Sequence, residues 1–99
     1  MNEIQQQLAA AGIRLLTPEA THYCLFAREP FFALVERKGD RFGSIGSAGI
    51  WTEHGLAFLV WREGEARLVS KGFETAAEPE QVIALKRFSA DLAGILGQA

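Results

Sequence analysis

The chain has 99 residues, 48% of them hydrophobic and 22% charged, with ten basic and twelve acidic side chains and a formal net charge of -2. That size suits one folded domain, residues 1–99, whose core needs neither disulfides nor a metal. The apolar share excludes a disordered chain, and the slight acidity offers no electrostatic footprint for nucleic acid or an anionic membrane.

The N-terminal stretch MNEIQQQLAAAG has no basic n-region and no apolar h-region, so no signal peptide is expected. Asn2 suits a helix N-cap and Glu3 the first turn. Ile4, Leu8 and Ala11 recur at helical spacing before Gly12, a stop signal. Within residues 13–20, Thr17-Pro18-Glu19 has the chemistry to cap a second helix. The strand-like Tyr23, Cys24, Leu25 and Phe26 follow at once, so this segment is read as a connection.

THYCLFAR (21–28) and FFALVERK (31–38) are apolar, aromatic-rich runs bounded by Pro30 and Gly39-Asp40, and are predicted as strands. RFGSIGSA (41–48) comes next, then a turn at TEHG (52–55) and a strand at LAFLVWR (56–62). EGE (63–65) turns the chain into a last strand, ARLVSKG (66–72). Such short connections make consecutive strands antiparallel neighbours. A helix over about 79–96 closes the chain, with Pro79 at its first position and Glu78 and Glu80 at its positive end. Val82, Leu85, Phe88, Leu92 and Ile95 make its apolar stripe, and Lys86, Arg87 and Asp91 fall off it. The expected fold is α+β: an N-terminal helix, a five-stranded antiparallel meander sheet and a long C-terminal amphipathic helix packed on the sheet. No apolar run reaches membrane-spanning length.

In size, acidity and element order the chain resembles small dimeric bacterial chaperones of the secretion-chaperone type. Those chaperones carry a helix within the strand series that is not read here. The two share no motif, and no residue roles carry over.

If Glu29-Pro30 is a two-residue turn, Arg28 faces Phe31, Phe26 faces Ala33 and Cys24 faces Val35. The alternate residues Tyr23, Leu25, Ala27, Phe32 and Leu34 form the other face, and it is apolar too. Leu56, Phe58 and Val60 point one way in the fourth strand and Ala57, Leu59 and Trp61 the other. A sheet wetted on one side alternates apolar with polar, and this one does not. A helix of about 25–30 Å covers only part of a five-strand sheet about 20–25 Å wide. Apolar area left over marks a partner, a ligand groove or a dimer seam.

The stretch GDRFGSIGSAGIW carries Gly39, Gly43, Gly46 and Gly49. It lacks the Lys-Ser/Thr of a phosphate loop, and its spacing does not fit a dinucleotide fingerprint. As a strand it is expected to turn Ser44, Gly46 and Ala48 to one side, a shallow strip for close packing, with a bulge at Gly49. His22 and Cys24 share a strand face, but His54 is expected at the opposite rim, so no metal site is expected. Cys24 reads as a small core residue. Glu53 and His54 sit in a turn beside the strip, where a histidine titrating near neutrality can bind or transfer a proton; a solvated turn is the plainer reading.

The expected function is a non-enzymatic, cytoplasmic interaction module, a homodimer through an apolar sheet face with a protein or peptide partner. No cofactor, metal, nucleic acid or membrane is expected. Its contact candidates are Ser44, Gly46, Ala48, Trp51, Glu53, His54 and Trp61, the tryptophans because indole is favoured at interfaces. The single cysteine fits a reducing compartment. The alternative is a small-ligand-binding domain or minor enzyme with a pocket between sheet and C-terminal helix, near Ser44, Ser47 and His54.

Overall fold

The computed structural model describes residues 2–17, 19–39, 41–53 and 55–97. Helix α1 (Asn2–Ala10) leads into strands β1 (Arg14–Leu15), β2 (Tyr23–Arg28), β3 (Phe31–Lys38), β4 (Arg41–Thr52), β5 (Gly55–Arg62), β6 (Glu65–Ser70) and β7 (Phe73–Ala76), and helix α2 (Pro79–Ile95) closes the series. The strands form one antiparallel meander in chain order. The α+β class with a helix at each end is as expected. The sheet, however, has seven strands, not five.

Both additional strands are edges. The connection read over 13–20 contains β1, which pairs Arg14 with Ala27 and Leu15 with Phe26. It alternates: Ile13 is buried and Leu15 packs on the core, while Arg14 lies on the opposite face. At the other edge the last expected strand stops at Ser70. Gly72, with φ +76°, takes the left-handed turn conformation that lets Phe73 pair back onto Ser70.

The β2–β3 hairpin has the register expected from the sequence: Cys24 with Val35, Phe26 with Ala33 and Arg28 with Phe31. Strand β4 does not follow simple alternation. Phe42, Ile45, Ala48 and Ile50 oppose Arg37, Val35, Ala33 and Phe31, so two steps of three replace steps of two. Each such step inserts one residue, and an extra residue bends a strand and re-aims its side chains. The expected Ser44-Gly46-Ala48 strip is therefore broken. Ala48 packs on the core with Ile45, whereas Ser44 and Gly46 are exposed. Gly49 is not at a bulge, since it pairs with Phe32 on one side and Phe58 on the other.

This changes what Gly46 must tolerate. A Cβ there would meet only the Leu34 carbonyl oxygen, at 3.4 Å. Gly46→Leu is expected to alter stability by less than about 1 kcal/mol, the scale of strand propensity. A thermal melt checks it; a loss above about 3 kcal/mol, the scale of a strongly overpacked core, would show that something packs there.

Both helices lie on one face, the inner face. Leu8 of α1 and Leu85, Phe88 and Leu92 of α2 form a core with Ile13, Cys24, Phe26, Ala33 and Val35. The buried positions of α2 belong to the stripe expected for it. Pro79 starts that helix, and the side chain of Gln81 accepts the Glu78 N–H at 2.8 Å, occupying a donor the helix end leaves open. Arg28 pins the layers together. It donates to the Ala11 carbonyl at 3.2 Å and to Asp91 at 3.0 Å, and its guanidinium lies 5.5 Å from the Phe88 ring centre. Farther along the sheet, Ile50, Ala57 and Leu68 form a smaller buried group on this face. No helix among the described residues is long and apolar enough to cross a membrane.

Candidate functional site: the outer sheet face

With both helices on the inner face, the outer face has no helical cover. Its centre is one row that crosses every strand: Arg14, Ala27, Phe32, Gly49, Phe58, Val69 and Glu74, each paired with the next. Large and small side chains alternate along much of this row. Gly49 has no side chain, and a Cβ built on it would stand 2.9 Å from Phe32 Cζ. The Phe32 ring thus crosses the glycine and meets Phe58 edge-on, with ring centres 5.2 Å apart. Trp51 closes on the same ring edge-on at 6.3 Å. Such T-shaped pairs set the positive edge of one ring against the negative face of another. Phe32 is completely buried although no helix covers it.

Around this aromatic centre, Leu25, Leu34, Leu56, Val60 and Val69 are half-buried on the same face. Tyr23 is 54% and Trp51 44% exposed. Several charged side chains at the margin are paired within the chain. Arg14 reaches Glu29 at 2.8 Å, Lys38 reaches Glu36 at 3.7 Å, and Glu74 takes Arg67 at 2.9 Å and Arg62 at 3.4 Å. Exposed pairs of this kind add little stability, but they leave the rim without a dominant sign. The arrangement is an apolar field with a neutralised polar border.

Near one corner the face sinks into a hollow of about 370 Å³ lined by Arg14, Leu16, Glu29, Pro30 and Trp51. In register, Ala27 lies between Arg14 and Phe32, and its methyl group leaves the relief low there. The Trp51 N–H donates to the Pro30 carbonyl at 2.6 Å, which ties the β2–β3 turn to β4. A second, shallower depression of about 470 Å³ lies on the helix side, lined by Gln7, Ala10, Ala11, Arg28, Asp91 and Ile95.

The contact candidates from the sequence separate. Trp51 is on the outer face and lines the hollow. Trp61 pairs with Ala66 on the helix side, where the Lys86 ammonium lies 5.4 Å from its ring centre. Ala48 is also on the helix side. Ser44 and Gly46 are exposed on the bulged part of β4, and Glu53 is exposed in the turn after it. His54 lies outside the described residues. Neither of these two depressions is lined by Ser44 or Ser47, two of the three residues named with His54 for a sheet–helix pocket. Cys24 is fully buried with its Sγ 3.8 Å from the Ala20 carbonyl, in the core role expected of it, and His22 is exposed. Among the described residues no three His, Cys, Asp or Glu side chains gather as a metal set.

Sequence reading missed Arg14, Leu16, Glu29 and Pro30 as lining residues. A usable signal lay in Ile13-Arg14-Leu15-Leu16, whose alternation is that of a short strand with Arg14 and Leu16 on one side. Comparison with known protein families, with curated proteins and with solved structures gave no match.

Proposed function

We propose that this chain is a non-enzymatic interaction module whose working surface is the outer sheet face, and that a second copy of the chain is a partner there. The carrying observation is the distribution of cover: both helices pack on the inner face, and the outer face keeps Tyr23, Trp51 and a field of half-buried aliphatic side chains. Contiguous apolar area of this kind marks a contact surface. With strands about 4.8 Å apart and averaging about 20 Å in length, the seven outline a face of roughly 700 Å², of the order of the roughly 800 Å² per partner of a standard interface. The locally paired rim supports self-association, because two identical borders meet without opposing blocks of like charge. The buried single cysteine is in keeping with a reducing, cytoplasmic setting.

The test is light scattering and sedimentation across a concentration series. A reversible dimer is expected. Leu34→Arg, on the outer face, is expected to weaken it at least tenfold, equivalent to about 1.4 kcal/mol. Ile83→Arg, at a 60% exposed position on α2, is expected to leave it unchanged. A monomer at every concentration, or a dimer indifferent to Leu34→Arg, would reject self-association through this face.

A further inference from the structure

We propose that the hollow at Arg14, Leu16, Glu29, Pro30 and Trp51 is a binding site for an uncharged, extended, proline-containing peptide segment. This goes beyond the self-association proposed above and does not depend on it. Three features of the hollow carry the inference.

The first is size. About 370 Å³ falls within the range of ligand pockets, roughly 300–1,000 Å³, toward its small end. The second is the wall. Trp51 presents a half-exposed indole, held on its inner side by the buried Phe32 ring and at its backbone by the Pro30 carbonyl. Leu16 and Pro30 complete an apolar trough beside it. Extended proline-containing segments dock in aromatic-lined grooves of this kind, because a proline ring lies flat on an aromatic face and the chain is already stiff before it binds.

The third is polarity. Arg14 has five N–H donors in a planar fork, and its bond to Glu29 Oε1 uses a terminal nitrogen, Nη2. Glu29 holds the guanidinium at the mouth of the hollow, and further donors are available to a ligand's carbonyl oxygens. A polyproline-like segment exposes such carbonyls and has few N–H groups of its own. The Arg14–Glu29 pair leaves the site without net charge. A carboxylate ligand would meet Glu29 as well as Arg14, and an ammonium would meet Arg14 as well as Glu29. An uncharged chain rich in acceptors meets no like charge there and offers partners to the Arg14 donors. A phosphate or a nucleotide would need an excess of donors that the five lining residues do not provide.

The probe is a blocked, uncharged hexapeptide alternating leucine and proline, titrated by calorimetry and by peptide-observed NMR against the full chain. Saturable binding with a single site is expected. Trp51→Ala is expected to reduce affinity at least thirtyfold. Arg14→Met, which keeps the apolar stem and removes the donors, is expected to reduce it about tenfold. Trp61→Phe, on the helix side, is expected to bind as the parent does. Circular dichroism confirms that each variant is folded, and Leu16→Arg, which fills the hollow, provides a second variant that removes binding without touching the tryptophan. An isosteric peptide carrying two glutamates is expected to bind more weakly. The proposal is overturned if the uncharged peptide does not bind at millimolar concentration, if Trp51→Ala and Leu16→Arg leave binding intact, or if the acidic peptide binds better. Trp51 belongs both to the hollow and to the proposed dimer face, so the titration is repeated on Leu34→Arg, outside the hollow, while scattering follows self-association: a folded, monomeric Leu34→Arg chain that ignores the peptide rejects the site alone, and a parent chain that is monomeric and binds it rejects the dimer alone.

Discussion

Gly49→Val is expected to cost the fold about 3 kcal/mol or more, lowering the melting temperature by roughly 12–24 °C in a domain of this length. The reason is backbone, and flexible neighbours cannot relieve it. A Cβ at this position runs into the Ala57 carbonyl oxygen on β5, with the carbonyl carbon at 2.8 Å and Phe32 Cζ at 2.9 Å. Relief means separating β4 from β5 and also displacing the Phe32 ring, and both steps break the row that crosses the sheet. Chemical denaturation of Gly49→Ala and Gly49→Val measures the cost, and the valine variant is expected to be the worse. Phe32→Leu in the Gly49→Ala background removes the aromatic edge but not the carbonyl, so it is expected to recover only part of the loss. Full recovery would show that the ring and not the backbone sets the limit.

Phe88→Ala is the second large effect. Phe88 is completely buried where α2 meets the sheet, with the Phe31 ring stacked at 6.3 Å and the Arg28 guanidinium at 5.5 Å from its centre. Truncating a buried phenylalanine removes transfer energy and leaves a cavity, together about 3–5 kcal/mol. Against a total of about 5–15 kcal/mol for a domain, this is enough to leave part of the protein unfolded at ambient temperature. The loss has a second component. Without the ring beneath it, Arg28 keeps its bonds to Ala11 and Asp91 but not its apolar support. Phe88→Leu, which refills most of the space, is expected to recover more than half of the stability. Equilibrium unfolding in urea tests both, and a Phe88→Ala cost below about 1 kcal/mol, far under the usual range for this change, would mean that α2 is not anchored by this residue.

How much of this was legible in the sequence depends on where information about pairing resides. The β2–β3 register followed from Glu29-Pro30 alone, because a two-residue turn fixes every later pair in a hairpin. The face of α2 followed from the spacing of Leu85, Phe88 and Leu92. The edge strands did not. Arg14–Leu15 is two residues long and Phe73–Ala76 is mostly exposed, since an edge strand has less to bury. Strand β4 defeated period-two reasoning for a different reason. Bulges arise from how two strands twist together, and nothing local in GSIGSAG marks where the extra residues fall. The candidate site was legible in part: Trp51 is among the residues singled out in the sequence, and an apolar second face is expected from it. Which face the helices would choose was not decided by composition, because both faces are apolar. The hollow depends on Arg14 and Leu16, which had been assigned to a connection.

The meander order has a consequence for how the chain comes together in time. Each strand pairs with its neighbour in sequence, so the sheet assembles through short loop closures, the kind that keep folding fast. The inner core is different, because it joins Leu8 and Ile13 to Leu85, Phe88 and Leu92, and the Arg28–Asp91 bond spans 63 residues. During synthesis the strands therefore precede the helix that shields them. Until α2 emerges, a nascent sheet would carry a bare outer face and an inner face covered by α1 alone, a condition in which growing chains are prone to stick to one another. Docking of the last helix ends that interval on one side only.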